Sequence, residues 1–225
     1  TNCPPPAAGL VDWWPGEGAA SARVGGLNGT LMNGTSFAPG QVGQAFSFNG
    51  VQDYINNSAP GLTNILNTYT MEFWAYPTAG RATTTETTGG IGGTSGQRYA
   101  IFPNYGCNGP AGAGVSVGTN GVSVFEHASG YLPSLLVYNG LISGWTHIAV
   151  VYLNRQPSLY LNGVLVHTGL TSAYSSFPST CLGESGINYG YYAGLLDEVS
   201  IYNRALSAAE VQAIYTAGSA GKCFT

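Results

Sequence analysis

Short runs of apolar and aromatic residues recur along the chain, separated by turns rich in glycine, asparagine and serine. Most runs have the length of β-strands and lack the three-to-four spacing of an amphipathic helix. In residues 70–76 the alternation places Met71 and Phe73 on one face and Trp74 and Tyr76 on the other. The pattern predicts about a dozen short strands and therefore an all-β sandwich.

Residues 145–153 are apolar at both odd and even positions, which predicts a central strand covered on both faces. Two turn pairs predict β-hairpins. Asn162-Gly163 is the residue pair that a type I′ turn prefers, and Asn49-Gly50 also separates two β-prone runs.

One helix is predicted, near the C-terminus. Ser207 is a good N-cap, and Glu210 three residues later completes a capping box. Leu206 and Val211 are placed to form the hydrophobic staple around that cap. Gly218 follows where a left-handed C-cap is expected.

Composition narrows the class of protein. Charged residues make up only 7% of the 225 residues, and glycine contributes 34. These values favour one large extracellular β domain over residues 1–225. A net charge of −4 with six basic residues argues against nucleic-acid binding. No run of eighteen apolar residues occurs, so no membrane span is predicted.

Several segments resemble, in family order, the blocks of the LamG-like jellyroll domains in the concanavalin A-like lectin/glucanase superfamily. They are GLVDWWPGEG (9–18), GQAFSFNGVQDYI (43–55), YTMEFWAYP (69–77), WTHIAVVY (145–152), LYLNGVLVHTG (159–169) and GLLDEVSIYNRALSAAEVQAIY (194–215). The resemblance implies a two-sheet antiparallel jellyroll sandwich with one short C-terminal helix.

The four cysteines allow three pairings, and none lies in a C-x-x-C motif. In the fold that the resemblance implies, the two termini usually lie side by side. We therefore expect Cys3–Cys223 to join the termini and Cys107–Cys181 to join two loops. Disulfides are typical of an oxidising compartment, which agrees with a secreted, cell-surface protein.

Asp197 shares its strand parity with Leu195, Val199 and Ile201, so its carboxylate is expected to be buried. A buried carboxylate needs a hydrogen bond or a metal ion. The resemblance implies a structural calcium ion held by Asp197 and an N-terminal loop that begins with Glu17.

This loop, residues 17–26, has alanine at two positions where family members commonly have Asn and Asp. The alternative to calcium is that Asp197 caps backbone amides or pairs with Arg23 or Arg204. We expect Arg204 to be structural and to pair with an acid or a turn carbonyl.

No catalytic set is found. The E-x-D-x-x-E strand of the glucan-cleaving members is absent, and a lyase-type Arg/His/Lys/Tyr cluster cannot be assembled from the sequence. His147 is expected to be a core histidine, and His127 and His167 are expected to face solvent. These observations predict a protein that is not an enzyme.

The tyrosines are the remaining candidates for ligand-binding residues. Tyrosine combines an apolar ring with a polar tip, which suits sugar-binding and protein-binding surfaces alike. The candidate ligand-binding residues lie in glycine-rich loops or before the last strand, namely Tyr105, Tyr131, Tyr174, Tyr189 and Tyr191.

The leading hypothesis is a secreted, non-catalytic binding or adhesion module that recognises a polysaccharide or surface glycan, in the manner of a lectin. The alternative is a structural subunit of an extracellular filament or surface assembly, which would pack against copies of itself. A polysaccharide-active enzyme is a lesser alternative.

Overall fold

The computed structural model describes residues 3–57, 61–106, 109–184 and 188–223. Within these ranges the chain forms short strands and a single α-helix, as the sequence predicts. The strands are β1 Leu10–Trp14, β2 Gly29–Met32, β3 Ser36–Pro39, β4 Gln44–Asn49, β5 Tyr54–Asn57, β6 Tyr69–Pro77, β7 Tyr99–Ile101, β8 Ala111–Gly118, β9 Gly121–His127, β10 Ser134–Tyr138, β11 Thr146–Leu153, β12 Gln156–Leu161, β13 Val164–Thr168, β14 Ser176–Pro178 and β15 Ala193–Tyr202. Helix α1 spans Ala208–Ala217, and a 3₁₀ turn, Gly218–Ala220, follows it.

The strands form two main sheets that pack as a jellyroll sandwich, which confirms the predicted fold class. Sheet A has the order β13-β12-β11-β6-β15-β4-β3, with β1 also paired to β15. Sheet B has the order β10-β9-β8-β14, with β7 also paired to β8. Neighbouring strands are antiparallel except for β14, which pairs with β8 in parallel. A smaller pair, β2 and β5, completes the strands.

The main core lies between the two sheets. The alternation in β6 sends Met71, Phe73 and Ala75 into it, and all three are fully buried. β11 is internal to sheet A and covered on both faces, as predicted: Ile148 contacts the main core while Ala149 packs with residues of helix α1 on the outer face. The side chains that can contact a ligand therefore lie on the outer faces of the sheets.

One predicted hairpin is confirmed and the other is wrong. Asn162 and Gly163 have positive φ angles of 49° and 80° and join β12 to β13. After Asn49, by contrast, the chain leaves the sheet: β4 pairs with β3 and β15, whereas β5 pairs with β2. The Asn49 side chain accepts hydrogen bonds from the amides of Val51 and Gln52, so it stabilises a turn between two sheets.

A β-bulge in β15 overturns the predicted parity of Asp197. The register with β6 shifts between Asp197 and Ser200, and Glu198 has a φ of 56°. Leu196 and Val199 contact the core, so Asp197 and Glu198 both lie on the outer face. Asp197 is nevertheless fully buried, as expected, because other segments cover that face.

The C-terminal helix has the predicted N-cap. Ser207 and Glu210 form the reciprocal capping box, and Leu206 and Val211 are buried together on the outer face of sheet A. Gly218 ends the helix with a positive φ of 52°, although its ψ of −128° lies outside the predicted left-handed helical region. No helix among the described residues is long and apolar enough to cross a membrane.

The chain ends are joined as predicted by a disulfide between Cys3 and Cys223, whose Cα atoms lie 5.0 Å apart. Cys107 lies outside the described residues, so its pairing with Cys181 stays a prediction. Cys181 itself is buried.

Candidate functional site

A pocket of about 210 Å³ opens on the outer side of sheet B and brings together three of the five predicted tyrosines. We call it the tyrosine pocket, and it is lined by Ile91, Tyr105, His127, Ala128, Gly130, Tyr131, Leu132 and Tyr189. Its residues come from segments far apart in the sequence, so the fold is required to assemble it.

Backbone hydrogen bonds hold these segments around the end of β9. The amide of Gly106 donates to the carbonyl of His127, which fixes the loop that carries Tyr105. Ala128 and Tyr131 exchange two backbone hydrogen bonds of 2.8 and 3.1 Å across a tight turn. Leu132 in turn donates to the carbonyl of Gly90. The pocket wall is therefore anchored to the end of β9.

The three tyrosines of the pocket have different exposures. Tyr105 is 45% exposed, and its ring meets that of His127 edge to face at 5.1 Å between centroids. Tyr189 is half-buried, and its ring centroid lies 6.1 Å from that of the same histidine. Tyr131 is only 4% exposed and forms the floor. Tyr105 is consequently the ring best placed to stack on a ligand.

His127 is buried, which corrects the expectation that it faces solvent. Its Nδ1 lies 3.0 Å from the carbonyl oxygen of Pro103. A carbonyl oxygen only accepts, so Nδ1 donates and Nε2 is left as an acceptor. Burial lowers the pKa of His127, which keeps the ring neutral near pH 7. The lining residues thus present aromatic faces and hydrogen-bonding atoms without a formal charge.

A buried carboxylate supports the floor of the pocket. The Tyr131 hydroxyl donates to Glu126 Oε2 at 3.4 Å, and Ser172 donates to the same oxygen. Burial raises the pKa of Glu126 to about 7. These contacts fix the ring of Tyr131 from below.

The remaining two predicted tyrosines do not line the pocket. Tyr174 is 41% exposed and packs against Tyr131, with ring centroids 4.4 Å apart, so it extends the same aromatic surface. Tyr191 lies apart, with its ring 6.5 Å from that of Tyr54. Tyr191 can therefore serve as a control residue outside the tyrosine pocket.

The predicted metal residues lie at the loop between β3 and β4. Asp197 Oδ2 accepts a hydrogen bond from the amide of Val42 at 2.8 Å, and Glu17 Oε1 accepts one from the amide of Gln44 at 3.1 Å. The alternative that Asp197 caps a backbone amide is thus confirmed. A Cβ on Gly40 would lie 2.6 Å from Asp197 Oδ2, so the loop can close over the carboxylate only with glycine there.

The same residues also fit a cation. Asp197 Oδ1 is buried without a hydrogen-bond partner, and burial together with Glu198 and Glu17 raises the pKa of Asp197 to about 8. A bound cation would pair with Oδ1 and would favour the ionised form of the Asp197 carboxyl. Among the described residues, no group of three or more His, Cys, Asp or Glu side chains is placed to hold a metal ion, so backbone carbonyls or water would have to complete the calcium ligands.

Arg204 is structural, as expected. It forms an ion pair with Glu210 at 2.5 Å and donates from Nε to the carbonyl of Ala8 at 2.8 Å. It thereby connects the N-terminal segment to the first turn of α1.

The structure does assemble a lysine, a histidine and a tyrosine around a carboxylate, which the sequence did not reveal. Glu72 lies 3.1 Å from both His147 Nε2 and Lys222 Nζ, and the Tyr202 hydroxyl is 3.4 Å away. Lys222 also lies 3.1 Å from Glu198. The side chains of Glu72 and His147 are fully buried, as predicted for His147, so this cluster joins the C-terminus to sheet A instead of facing a substrate.

A second pocket was missed from the sequence. It has a volume of about 390 Å³ and lies on the outer side of sheet A, where Gln41, Trp74, Trp145, Asn162, Tyr215, Thr216 and Gly218 line it. We call it the tryptophan pocket. The outward parity of Trp74 and Tyr76 in β6 was the available signal, but the position of α1 over this face could not be read from it.

Comparison with known proteins identifies the fold family. The family model Laminin_G_3, described as the concanavalin A-like lectin/glucanases superfamily, matches residues 49–212. No curated protein matches the chain.

Solved structures with the same fold include domain 4 of AbnA, a GH43 extracellular arabinanase from Geobacillus stearothermophilus, in complex with arabinotriose. Its TM-score is 0.60 with 22% identity, over 90% of this chain and 96% of that one. The binding domain of botulinum neurotoxin DC in complex with SialylT has a TM-score of 0.66 and 8% identity, over 93% of this chain and 52% of that one.

A sialidase from Trypanosoma rangeli has a TM-score of 0.63 and 16% identity, over 96% of this chain and 36% of that one. The chain therefore spans about half of the toxin domain and about a third of the sialidase. At these identities the similarity shows the fold alone. Since the family model covers more than half of the sequence, the chain belongs to the concanavalin A-like lectin/glucanases superfamily.

Proposed function

We propose that this chain is a secreted, non-catalytic carbohydrate-binding module that holds a neutral sugar of a polysaccharide or surface glycan in the tyrosine pocket. The observation that carries the proposal is the convergence of Tyr105, Tyr131 and Tyr189 on one pocket beside a neutral histidine. The similar structure solved with arabinotriose supports a neutral sugar, and the one solved with SialylT supports carbohydrate binding by the same fold.

The chemistry of the pocket matches a sugar ring. The exposed face of Tyr105 can pack against the apolar C–H face of a sugar, while His127 Nε2 and the hydroxyls of Tyr105 and Tyr189 can exchange hydrogen bonds with its hydroxyl groups. Because the lining residues carry neither a carboxylate nor a cation, we expect neutral sugars to be preferred over uronic or sialic acids.

A panel of immobilised neutral and acidic glycans tests the proposal. Tyr105→Ala should weaken binding to the best neutral glycan at least tenfold, because it removes the exposed stacking ring. Tyr191→Ala is the matched control, since that ring lies outside the pocket. Absence of binding across the panel, or equal losses in both variants, would contradict the proposed site. Release of reducing ends or unsaturated sugars would contradict the non-catalytic role.

We further propose that one calcium ion binds at Asp197 and Glu17 as a structural ion. The unpartnered Oδ1 of Asp197 and the nearby carboxylate of Glu17 support it. A calcium ion there would brace the β3–β4 loop against β15. The Cys3–Cys223 disulfide supports an extracellular location, where calcium is abundant.

Self-assembly is the second candidate function. Strand β13 ends sheet A, and its Val164 and Leu165 are 60% and 50% exposed. Exposed apolar residues on an edge strand favour pairing with other chains. Sedimentation that increases with protein concentration and is abolished by Leu165→Lys would favour an extracellular assembly over a monomeric binding module.

A further inference from the structure

We propose that the tryptophan pocket is a second binding site for a neutral saccharide, on the face of the sandwich opposite the tyrosine pocket. The two pockets lie on the outer sides of different sheets. With both filled, one module would bind two saccharide segments at once.

Two pairs of aromatic rings form or flank the wall of this pocket. The rings of Trp74 and Tyr215 lie 5.8 Å apart and are tilted by 35°, which joins β6 to helix α1. Trp145 meets Tyr76 edge to face at 5.8 Å, and Tyr76 is 39% exposed. Trp74 is only 5% exposed and forms the base. The accessible ring faces can pack against the apolar C–H face of a sugar ring.

Amide side chains supply the polar contacts. Asn162 sits in the type I′ turn, and its Oδ1 accepts a hydrogen bond from the amide of His147 at 3.0 Å. That bond fixes the side chain and leaves its NH₂ group to donate to a ligand. Gln41 also lines the pocket and contributes a second amide. Acceptors and donors of this kind complement sugar hydroxyl groups.

The buried ion cluster makes the pocket rigid. The His147 ring lies 5.2 Å from Trp74 and 6.4 Å from Tyr215, while its Nε2 contacts Glu72 at 3.1 Å. The residue that orients Asn162 is therefore itself held by Glu72. A preformed wall loses little side-chain freedom when a ligand binds, which favours affinity.

A saccharide fits this pocket better than an apolar protein segment does. An apolar helix would cover the amide groups of Gln41 and Asn162 without offering partners, and unpaired buried polar groups are costly. A charged ligand also lacks a partner, because the lining side chains carry no formal charge. The chemistry points to a neutral, hydroxyl-rich ligand.

Tryptophan fluorescence separates the two pockets. Trp74 and Trp145 line only the second pocket, whereas Trp13 and Trp14 are at most 1% exposed. We expect a neutral oligosaccharide, drawn from gluco-, manno-, xylo- and arabino-oligosaccharides, to change the emission of the wild-type protein. Trp145→Ala should weaken this response at least tenfold, and Tyr105→Ala should leave it unchanged.

Gln41→Ala provides a second variant that leaves the core intact, and it should weaken the same response with an unchanged melting temperature. If calorimetry shows oligosaccharide binding that Tyr105→Ala abolishes, with no change in tryptophan emission, this second site is refuted while the proposed function stands. If Trp145→Ala and Gln41→Ala both bind like wild type, the second site is refuted as well. An emission response lost only in these two variants supports the second site, and calorimetry with Tyr105→Ala tests the tyrosine pocket separately.

Discussion

At the scale of single residues, Lys222 is the only lysine of the chain, and it is almost fully buried between two acids. Burial alone would raise the pKa of Glu72, but Lys222 and His147 outweigh it and hold that pKa at about 2. The lysine also lies 5.4 Å from the ring of Trp13. Its charge therefore compensates the acids that the C-terminal segment covers.

Lys222→Met should lower the free energy of unfolding by about 3–5 kcal/mol, because it leaves Glu72 and Glu198 buried without their cation. Urea denaturation measures the loss. Adding Glu72→Gln to this variant should recover part of it, since one uncompensated charge is then removed. A loss below about 1 kcal/mol would show that the cluster is not a stabilising contact.

The titration of Glu126 should change the folding stability with pH in the direction opposite to that of Glu72. Burial raises its pKa from 4.5 to about 7, and hydrogen bonds from Ser172 and its other hydroxyl neighbours only partly offset that cost. The facing Tyr69 and Tyr152 have pKa values raised well above 10, so they do not titrate in this range. Between pH 4.5 and about 7 the unfolded chain releases a proton that the folded chain retains.

Stability should therefore fall as the pH rises through this window. Asp12 and Asp197, whose pKa values burial also raises, contribute with the same sign, so the comparison is between wild type and Glu126→Gln. The variant should lose less stability between pH 4 and pH 8, by on the order of 2–3 kcal/mol. Denaturant titrations at both pH values measure the difference. Parallel pH profiles for the two proteins would contradict the raised pKa of Glu126.

At the scale of elements, periodicity located most strands but could not assign them to sheets. The run that became β6 is predicted from its alternation, and the run that became β11 from apolar residues at both odd and even positions. The runs that became β4 and β5 have the same signal, yet they belong to different pairings because Asn49 stabilises a turn between them. Pairing depends on contacts distant in sequence, which local patterns do not contain.

The candidate site likewise depends on long-range contacts that local sequence patterns do not contain. The tyrosines were singled out as residue types, but His127 joined them only because a backbone hydrogen bond from Gly106 brings the Tyr105 loop to the end of β9. The bulge at Glu198 similarly reversed the predicted orientation of Asp197. A single extra residue in a strand inverts every later side chain, and the sequence of β15 gives no sign of it.

Calcium binding is tested at this scale, because it would connect β15 to the loop between β3 and β4. Calcium in the millimolar range should raise the melting temperature of the wild-type protein by several degrees, as expected for a ligand that binds only the folded state. Asp197→Asn should remove the response. Magnesium and Glu86→Gln, which alters an acid bonded to His167 instead, serve as controls. An equal calcium response in Asp197→Asn would contradict the site.

At the scale of the whole molecule, the fold separates its two pockets. Sheet B carries the tyrosine pocket at the end of β9, and sheet A carries the tryptophan pocket beneath α1. Only 7% of the residues are charged, so contact with a neutral polymer desolvates few charged groups. Two faces of this kind suit the cross-linking of saccharide chains.

The disulfide between the chain ends is expected to affect both the stability of the domain and the tryptophan pocket on sheet A. Cys3 and Cys223 close a loop with a sequence separation of 220 residues, for which chain entropy predicts a stabilisation of about 5 kcal/mol. In a domain of this size that corresponds to a loss of about 10 °C or more in melting temperature when both cysteines are replaced by serine. Differential scanning calorimetry measures the change.

The same variant should affect the two pockets unequally. The C-terminal segment carries Lys222, whose ion pair with Glu72 holds His147 and hence the wall of the tryptophan pocket. Loosening that segment should weaken the tryptophan-pocket response and leave binding at Tyr105 unchanged below the melting temperature. Equal weakening at both pockets would instead show that the disulfide acts on the whole sandwich and that the C-terminus has no local role in supporting α1.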